Sequence, residues 1–381
     1  MKPAERITPL DPQTVFCPNP ACPARGRVGE GNIGVHSQQK RRYKCNVCDK
    51  TFTETKGTPF YRLKVAKDLF TLVVTLLGHG CPVQAIVVAF GLDERTVKSW
   101  LARAGQQCQA VHEHVVQQPR DVGQVQMDEV RIKQQGAVVW MAMALWVRTR
   151  LWLGGRVAHQ RDHHLITALV EKVRACASAL GGAILFCTDG FRAYVSAIGQ
   201  VFRQPIPTGQ KGRPRLRPWD NICIAQVVKQ VARRRVVGVV RRIIQGTAQQ
   251  VDAVLQRSQG GGQIHVSYIE RLNGTFRQRL APLVRRTRAL ARQSQTLHWG
   301  MYLVGTIYNF CTEHQSLRLP GLIGGHKWLS RTPAMAAGLT DHCWSVHQLL
   351  SYHVPPPPWR PPKRRGRPSR ATKLLIARWC S

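Results

Sequence analysis

The sequence predicts a mixed α/β core preceded by a four-cysteine ribbon and a short all-α segment. Three observations lead there. Two close cysteine pairs, Cys17/Cys22 and Cys45/Cys48, stand near the N-terminus. Helical periodicity punctuated by Gly and Pro covers residues 62–118. From residue 121 the period shortens to that of strands, and strand and helix patterns then alternate. A chain of 381 residues has room for two or three folded units. The parts fall at 1–60 (ribbon), 61–118 (helices), 119–318 (α/β part, with a basic insert at about 205–262) and 319–381 (C-terminal region with a basic tail).

Each cysteine pair sits in a turn that can aim two thiolates at one ion. Four thiolates complete a closed tetrahedral zinc shell. Arg41-Arg42-Tyr43-Lys44 and Thr51-Phe52-Thr53 fit the hairpins of such a ribbon. The bland alternative is four incidental thiols, which two pairs in series disfavour. His36 lies between the pairs, but four cysteines already complete the shell.

Val65–Leu77 carries apolar residues at helical spacing and stops at Gly78-His79-Gly80. Pro82 opens a second helix through Phe90, and Gly91 suits the left-handed turn after it. Asp93 is then an N-cap for a third helix holding Val97 and Trp100 inward. That is the spacing of a helix-turn-helix, with Arg95, Thr96, Lys98 and Ser99 facing a DNA groove. A plain three-helix core with a solvated face is the competing reading.

Val122–Ile132, Ala137–Val147 and Leu151–His159 read as strands. His164–Ser178 is an amphipathic helix, Ala183–Cys187 a buried strand ending in Thr188-Asp189-Gly190, and Tyr194–Phe202 another helix. Residues 203–262 read as an inserted basic hairpin and helix, with a strand-like Val236–Ile244. Helices resume over Val266–Val284 and about 294–311. The tail from 353, with its Pro run and Lys363-Arg364-Arg365-Gly366-Arg367-Pro368, reads as disordered alone.

Lys and Arg number 56 against 20 Asp and Glu, a formal charge of +36. Such an excess calls for a polyanion, and nucleic acid is the usual one. The predominance of Arg over Lys suits phosphate and base-edge contacts by a planar fork. A hydrophobic share of 43% excludes wholesale disorder. No apolar run approaches the ~18–20 residues that span a bilayer, and the N-terminus lacks the apolar core of a secretory signal. The expected setting is the bacterial cytoplasm, in association with the nucleoid, without a membrane partner or small-molecule substrate.

Between Lys172 and Thr312 only four acids occur: Asp189, Asp220, Asp252 and Glu270. Asp220 and Asp252 are explained as surface residues. Asp189 ends a buried apolar strand, where a carboxylate is costly unless paired or metal-bound. Glu270 shares the polar side of its helix with Asn273 and Arg277, and Asp128 lies in the first strand pattern. Three converging carboxylates can hold two divalent ions about 3.5–4 Å apart. Oxygen ligands select Mg²⁺ or Mn²⁺. In the competing reading Asp189 caps a turn and Glu270 pairs with Arg.

Met127-Asp128-Glu129, Thr188-Asp189-Gly190-Phe191 and Ile269-Glu270-Arg271-Leu272-Asn273 with Leu280 resemble the three acidic motifs of bacterial DDE transposases. The match is best to the family of insertion sequence one, whose members also begin with a zinc ribbon and a helix-turn-helix. Tyr308-Asn309-Phe310, His314 and Ser316-Leu317 resemble the segment after the third acid, so the resemblance runs from Cys17 to Ser316. It implies a ribonuclease-H-like catalytic core with Asp128 and Asp189 on neighbouring strands and Glu270 on a later helix. It further implies metal-dependent cleavage at the element's 3′ ends, strand transfer into target DNA, and at least two chains acting together. Arg277, with Arg271 and Asn273, would contact the terminal DNA. Two departures stand out: Asp189 and Glu270 lie far apart in sequence, and the chain is continuous where the prototype frameshifts. Glu129 is a further ligand candidate, although adjacent strand residues point to opposite faces.

Gly212-Arg213-Pro214-Arg215 and Arg365-Gly366-Arg367-Pro368 look like AT-hooks, in which Arg365 and Arg367 would enter a narrow minor groove. A solvated basic linker is the alternative. Beside the transposase stand a domesticated, non-catalytic DNA-binding regulator and a structure-selective nuclease.

Overall fold

A computed structural model of the chain describes residues 9–206, 212–233, 235–284, 287, 289–321, 327–361 and 366–380. The chain divides into two compact units, Met1–Lys67 with Leu350–Ser381, and Asp68–Leu349.

In the first unit β1 (Ile33–Ser37), β2 (Arg42–Cys45) and β3 (Thr51–Thr53) form an antiparallel sheet. Its small core holds Leu10, Ile33, Tyr43 and three of the cysteines. The tail, expected to be disordered on its own, packs against the ribbon. The helix Arg370–Trp379 buries Trp379 in the ribbon core, and Arg25 donates to the carbonyls of Pro357 and Pro358 at 2.9 and 3.0 Å. Composition marked this stretch as unable to make a core; it instead completes one that the ribbon leaves open.

The second unit opens with α1 (Lys67–Gly78), α2 (Val83–Phe90) and α3 (Glu94–Val115). Gly91 closes α2 at φ +61, and Asp93 Oδ1 caps α3 by accepting from Arg95 N and Thr96 N at 2.8 and 3.3 Å. Phe70 meets Trp100 edge-on inside this cluster. α3 runs a full 22 residues because its second half finds a partner. That partner is α8 (Ser294–Cys311), whose Thr306 donates to the Cys108 carbonyl.

Six strands make the central sheet: β4 (Gln124–Gln134), β5 (Ala137–Trp146), β6 (Leu151–Ala158), β7 (Ile184–Thr188), β10 (Ile222–Ala232) and β11 (Arg235–Gln245), in the order β11-β10-β7-β4-β5-β6. β4, β5 and β6 are antiparallel neighbours, and β7 and β10 run parallel to β4. β8 (Arg203–Pro205) and β9 (Leu216–Pro218) form a separate hairpin. Thus the stretch read as an insert supplies two strands of the sheet. Ile222–Val227 is buried as a core strand, which its basic surroundings concealed in the sequence.

Alternation along β7 and β10 sorts the two faces. Ile184, Phe186, Ile222 and Ile224 join α4 (His163–Cys176) and α5 (Arg192–Val201) in one core. Leu185, Cys187, Cys223 and Ala225 pack instead on α6 (Ala248–Arg257). α7 (Ser267–Arg279) contacts β4 and β5, and α8 contacts β6. Asn309 on α8 pins β6 from both sides, accepting from Trp152 N and donating to Trp152 O at 2.9 Å each. No helix of the described residues is long and apolar enough to cross a membrane.

Candidate active site

β4 reads Gln-Val-Gln-Met-Asp-Glu-Val from residue 124, and its period of two sends Val125 and Met127 into the α4/α5 core. Gln126 and Asp128 therefore face α7. Gln126, fully buried, accepts from Tyr268 N and Ile269 N at 3.0 Å each and donates to the His265 carbonyl at 2.7 Å. One side chain thus caps the N-terminus of the helix that carries Glu270. Asn273, one turn along, donates to Asp128 Oδ2 at 2.7 Å. These two links set α7 on the strand that carries Asp128.

Asp128, Asp189 and Glu270 line one cleft of about 570 Å³, together with Arg161, Phe191 and Lys229. Asp189 follows the last residue of β7. Its side chain is 39% exposed, so the strand is buried but the carboxylate opens into the cleft. Its Oδ1 accepts from Phe191 N at 2.9 Å and its Oδ2 from Arg161 at 3.1 Å. Glu270, in the first turn of α7, accepts from Lys229 Nζ at 2.7 Å.

Glu129, the further ligand candidate, joins two of these acids. Asp128, Glu129 and Asp189 each offer an oxygen within 4.8 Å of the others, a group that could hold a metal ion. Adjacent strand residues do point apart here: Asp128 meets Asn273 on α7, while Glu129 accepts from Tyr194 on α5 at 2.6 Å and from Arg161. Pairing of β4 with β7, however, stops at Gln126↔Cys187. Beyond that point this edge of β4 has no strand beside it among the described residues, and carboxylates from both faces of β4 lie near Asp189.

Burial is the main force on these acids. It raises Asp128 to about 7, with the negative charges of Glu129, Asp189 and Glu270 adding to it. Burial likewise raises Glu129, against the hydrogen bond from Tyr194 and the charge of Arg161. Arg161 lies 4.2 Å from the centre of the Phe191 ring, a platform that holds its guanidinium between Glu129 and Asp189.

The other predicted residues are scattered in accessibility. Arg95, Lys98 and Ser99 are exposed on the first turns of α3, Thr96 is half-buried, and Lys98 pairs with Glu94. Arg271 is exposed and Arg277 half-buried on α7. Asn273, expected to face DNA, is 1% exposed and committed to Asp128. Arg367 and Arg213 are exposed, while Arg365 lies outside the described residues.

The four ribbon cysteines also form a group that could hold a metal, all Sγ atoms lying within 4.8 Å of one another. Cys17–Cys48 and Cys22–Cys45 are separated by 3.7 and 3.8 Å. Tetrahedral thiolates at ~2.3 Å from a zinc ion stand about 3.8 Å apart, so the donor set fits that ion. Without an ion, burial pushes the Cys22 thiol up to about 12 and Cys17 higher still. Burial acts on Cys48 in the same sense. Hydrogen bonds from Asn19, Lys50 and the neighbouring thiols outweigh it and bring Cys48 down to about 7. His36 is exposed on β1 and takes no part in the group.

No protein-family model matches this chain, and no curated protein matches it.

The sequence reading missed Gln126, Arg161, Tyr194 and Lys229. Gln126 did leave a signal: an uncharged amide in an apolar strand, on the same face as Asp128 two residues on. Arg161 and Lys229 left none, because in so basic a chain no single cation stands out.

Proposed function

We propose that the chain is a DDE-type DNA transposase. The observation that carries this reading is that Asp128, Asp189 and Glu270, far apart in sequence, line one cleft of a strongly basic chain, with Asp128 and Asp189 grouped closely with Glu129 and Glu270 outside that close group. The sheet supports it. Three antiparallel strands, β6-β5-β4, followed by β7 and β10 parallel to β4, give the order expected of a ribonuclease-H-like core. Asp128 then sits on the central strand, Asp189 at the end of its parallel neighbour, and Glu270 on a helix laid across the face. The α2–Gly91–α3 arrangement, with exposed Arg95, Lys98 and Ser99 at the start of α3, supports a helix-turn-helix that docks in a DNA groove.

Asp128, Asp189 and Glu270 would hold Mg²⁺ or Mn²⁺, with Glu129 as an added or alternative donor, and Cys17, Cys22, Cys45 and Cys48 one structural Zn²⁺. Divalent ions at such a site supply charge that activates an attacking oxygen and stabilises a leaving one. The protein's part is placement. Gln126 and Asn273 fix α7 against β4. Lys229 and Arg161 balance the acids until substrate and ions arrive, and both are long enough to turn toward DNA phosphates. Arg271 and Arg277 add positive charge along α7 for the DNA terminus. Hydrolysis frees a 3′ hydroxyl at the element end, and that hydroxyl then attacks a target phosphodiester.

The test is strand transfer of the gene's own flanking DNA ends into a plasmid with Mg²⁺, comparing wild type with Asp189→Asn. Joined products from wild type alone are expected. Binding of the ends without cleavage in both proteins points to a DNA-binding regulator, and cleavage without joining to a nuclease.

A further inference from the structure

The outer strand of the central sheet is widely exposed. β11 pairs with β10 on one side only, and its other edge has no strand beside it among the described residues. Eleven residues long, it is exposed along almost its whole length. Val236, Val237, Val239, Val240, Ile243 and Ile244 are each 38–66% exposed. A long apolar edge strand is a template for another strand, and proteins usually guard such an edge with charge.

Three arginines, Arg235, Arg241 and Arg242, stand exposed on the strand, and two of them are engaged by partners in their own chain. Arg242 donates twice to Gln226 Oε1, at 3.0 and 2.7 Å, and Arg241 donates to the Ile264 carbonyl at 2.8 Å. What the edge presents is mostly valine and isoleucine. Its sequence, Arg-Val-Val-Gly-Val-Val-Arg-Arg-Ile-Ile-Gln from residue 235, is also close to self-complementary when read antiparallel about Val240. Val240 then meets itself, Val239 meets Arg241, and Gly238 meets Arg242. Beyond these, Val236 and Val237 come level with Ile244 and Ile243. No arginine sits directly opposite another, and Arg241 meets its own copy only on the diagonal, which lengthens the like-charge separation in a chain of +36. Bulges at Val237 and Ile244 in the pairing with β10 frame a regular stretch, Gly238–Ile243, which contains the centre of this register.

We propose that β11 pairs antiparallel with β11 of a second copy of this chain, about a twofold axis at Val240. The contact is isologous, so it closes at two copies and joins the two β10–β11 hairpins edge to edge. It goes beyond the catalytic reading and does not depend on it, since the edge strand carries no acid of the cleft.

Position 240 gives a direct test, because under this register it faces its own copy. Full-length wild type, Val240→Lys and Val240→Glu are compared by sedimentation velocity in high salt, which screens general repulsion. Circular dichroism checks that each remains folded. Wild type is expected to sediment as a dimer and each variant alone as a monomer, its dimer affinity weakened at least tenfold. An equimolar mixture of the two variants is expected to recover the dimer, since Lys then opposes Glu. A monomeric wild type overturns the proposal, as do variants that remain dimeric. A mixture that stays monomeric overturns the register and the twofold with it. If wild type is monomeric and Val240→Glu weakens binding to duplex DNA, the β10–β11 hairpin serves DNA rather than a second chain, and the proposal fails. None of these readouts requires catalysis.

Discussion

Burial favours the protonated form of Asp128. Its folded-state value of about 7 lies above the ordinary 3.8. Between those limits the folded chain keeps a proton that the unfolded chain has released. The stability of the metal-free protein therefore falls as pH rises through that window and levels off above about 7. Asp128→Asn removes the burial of this charge. Its melting temperature in chelator at about pH 8 should exceed that of wild type, and its rise on adding Mn²⁺ should be smaller. A melting temperature in chelator equal to wild type's would show that the buried charge costs nothing. Gln126 acts on the helix instead. Gln126→Leu leaves the Tyr268 and Ile269 amides without an acceptor, at a cost of about 1–3 kcal/mol. Hydrogen exchange at those two amides should quicken. End cleavage should drop about tenfold to a hundredfold while DNA binding holds, because α7 loses its fixed position. Unchanged exchange would show that Gln126 does not hold the helix.

At the scale of elements, the proposed structural zinc would stabilise a ribbon whose apolar core is small. Cys17 and Cys22 are held protonated without metal and Cys48 sits near 7, so zinc uptake must release protons from the first two. Zinc affinity should rise with pH across the neutral range, with proton release seen in buffers of different ionisation enthalpy. Chelation should loosen the tail helix together with β1–β3, since Trp379 lies in the same core as the cysteines. Trp379 is one of several tryptophans, so hydrogen exchange over Arg370–Trp379 is the cleaner measurement. Exchange there that ignores chelation would separate the tail from the metal. The turn between α1 and α2 shows a different dependence. Gly80, at φ +89, lies so close to α7 that a Cβ would stand 2.8 Å from the Gln278 carbonyl. The first helices are thus seated on the helix that carries Glu270.

For the whole molecule the dominant quantity is charge. With +36 on the chain, counterion release should govern DNA affinity. If six or more phosphates are engaged, affinity for duplex DNA should fall about 10³-fold or more between roughly 50 and 200 mM salt. A shallow dependence, measured by titration at several salt concentrations, would mean that most of this charge does not meet phosphate. The nonspecific part of that affinity should survive Asp189→Asn, because one cleft acid adds little to the field of so many cations.

The sequence by itself determined the features that depend on neighbours along the chain. The cysteine turns, the Asp93 cap, the Gly91 turn and the buried run before Asp189 are local consequences of backbone geometry and burial. Charge and composition are also local sums, and they pointed to a polyanion. Tertiary structure alone decided which side chains converge. Glu129 joins the acidic group because β7 ends early and leaves the edge of β4 open. Asn273 turns from the expected DNA face to Asp128 because α7 lies against that strand. Ile222–Val227 becomes a core strand because β7 offers it a parallel edge, and Trp379 is buried because the ribbon core has room for it. The physical reason is the same in each case. Propensity and periodicity act over a few residues, whereas burial and hydrogen bonding reward partners that may be a hundred residues away.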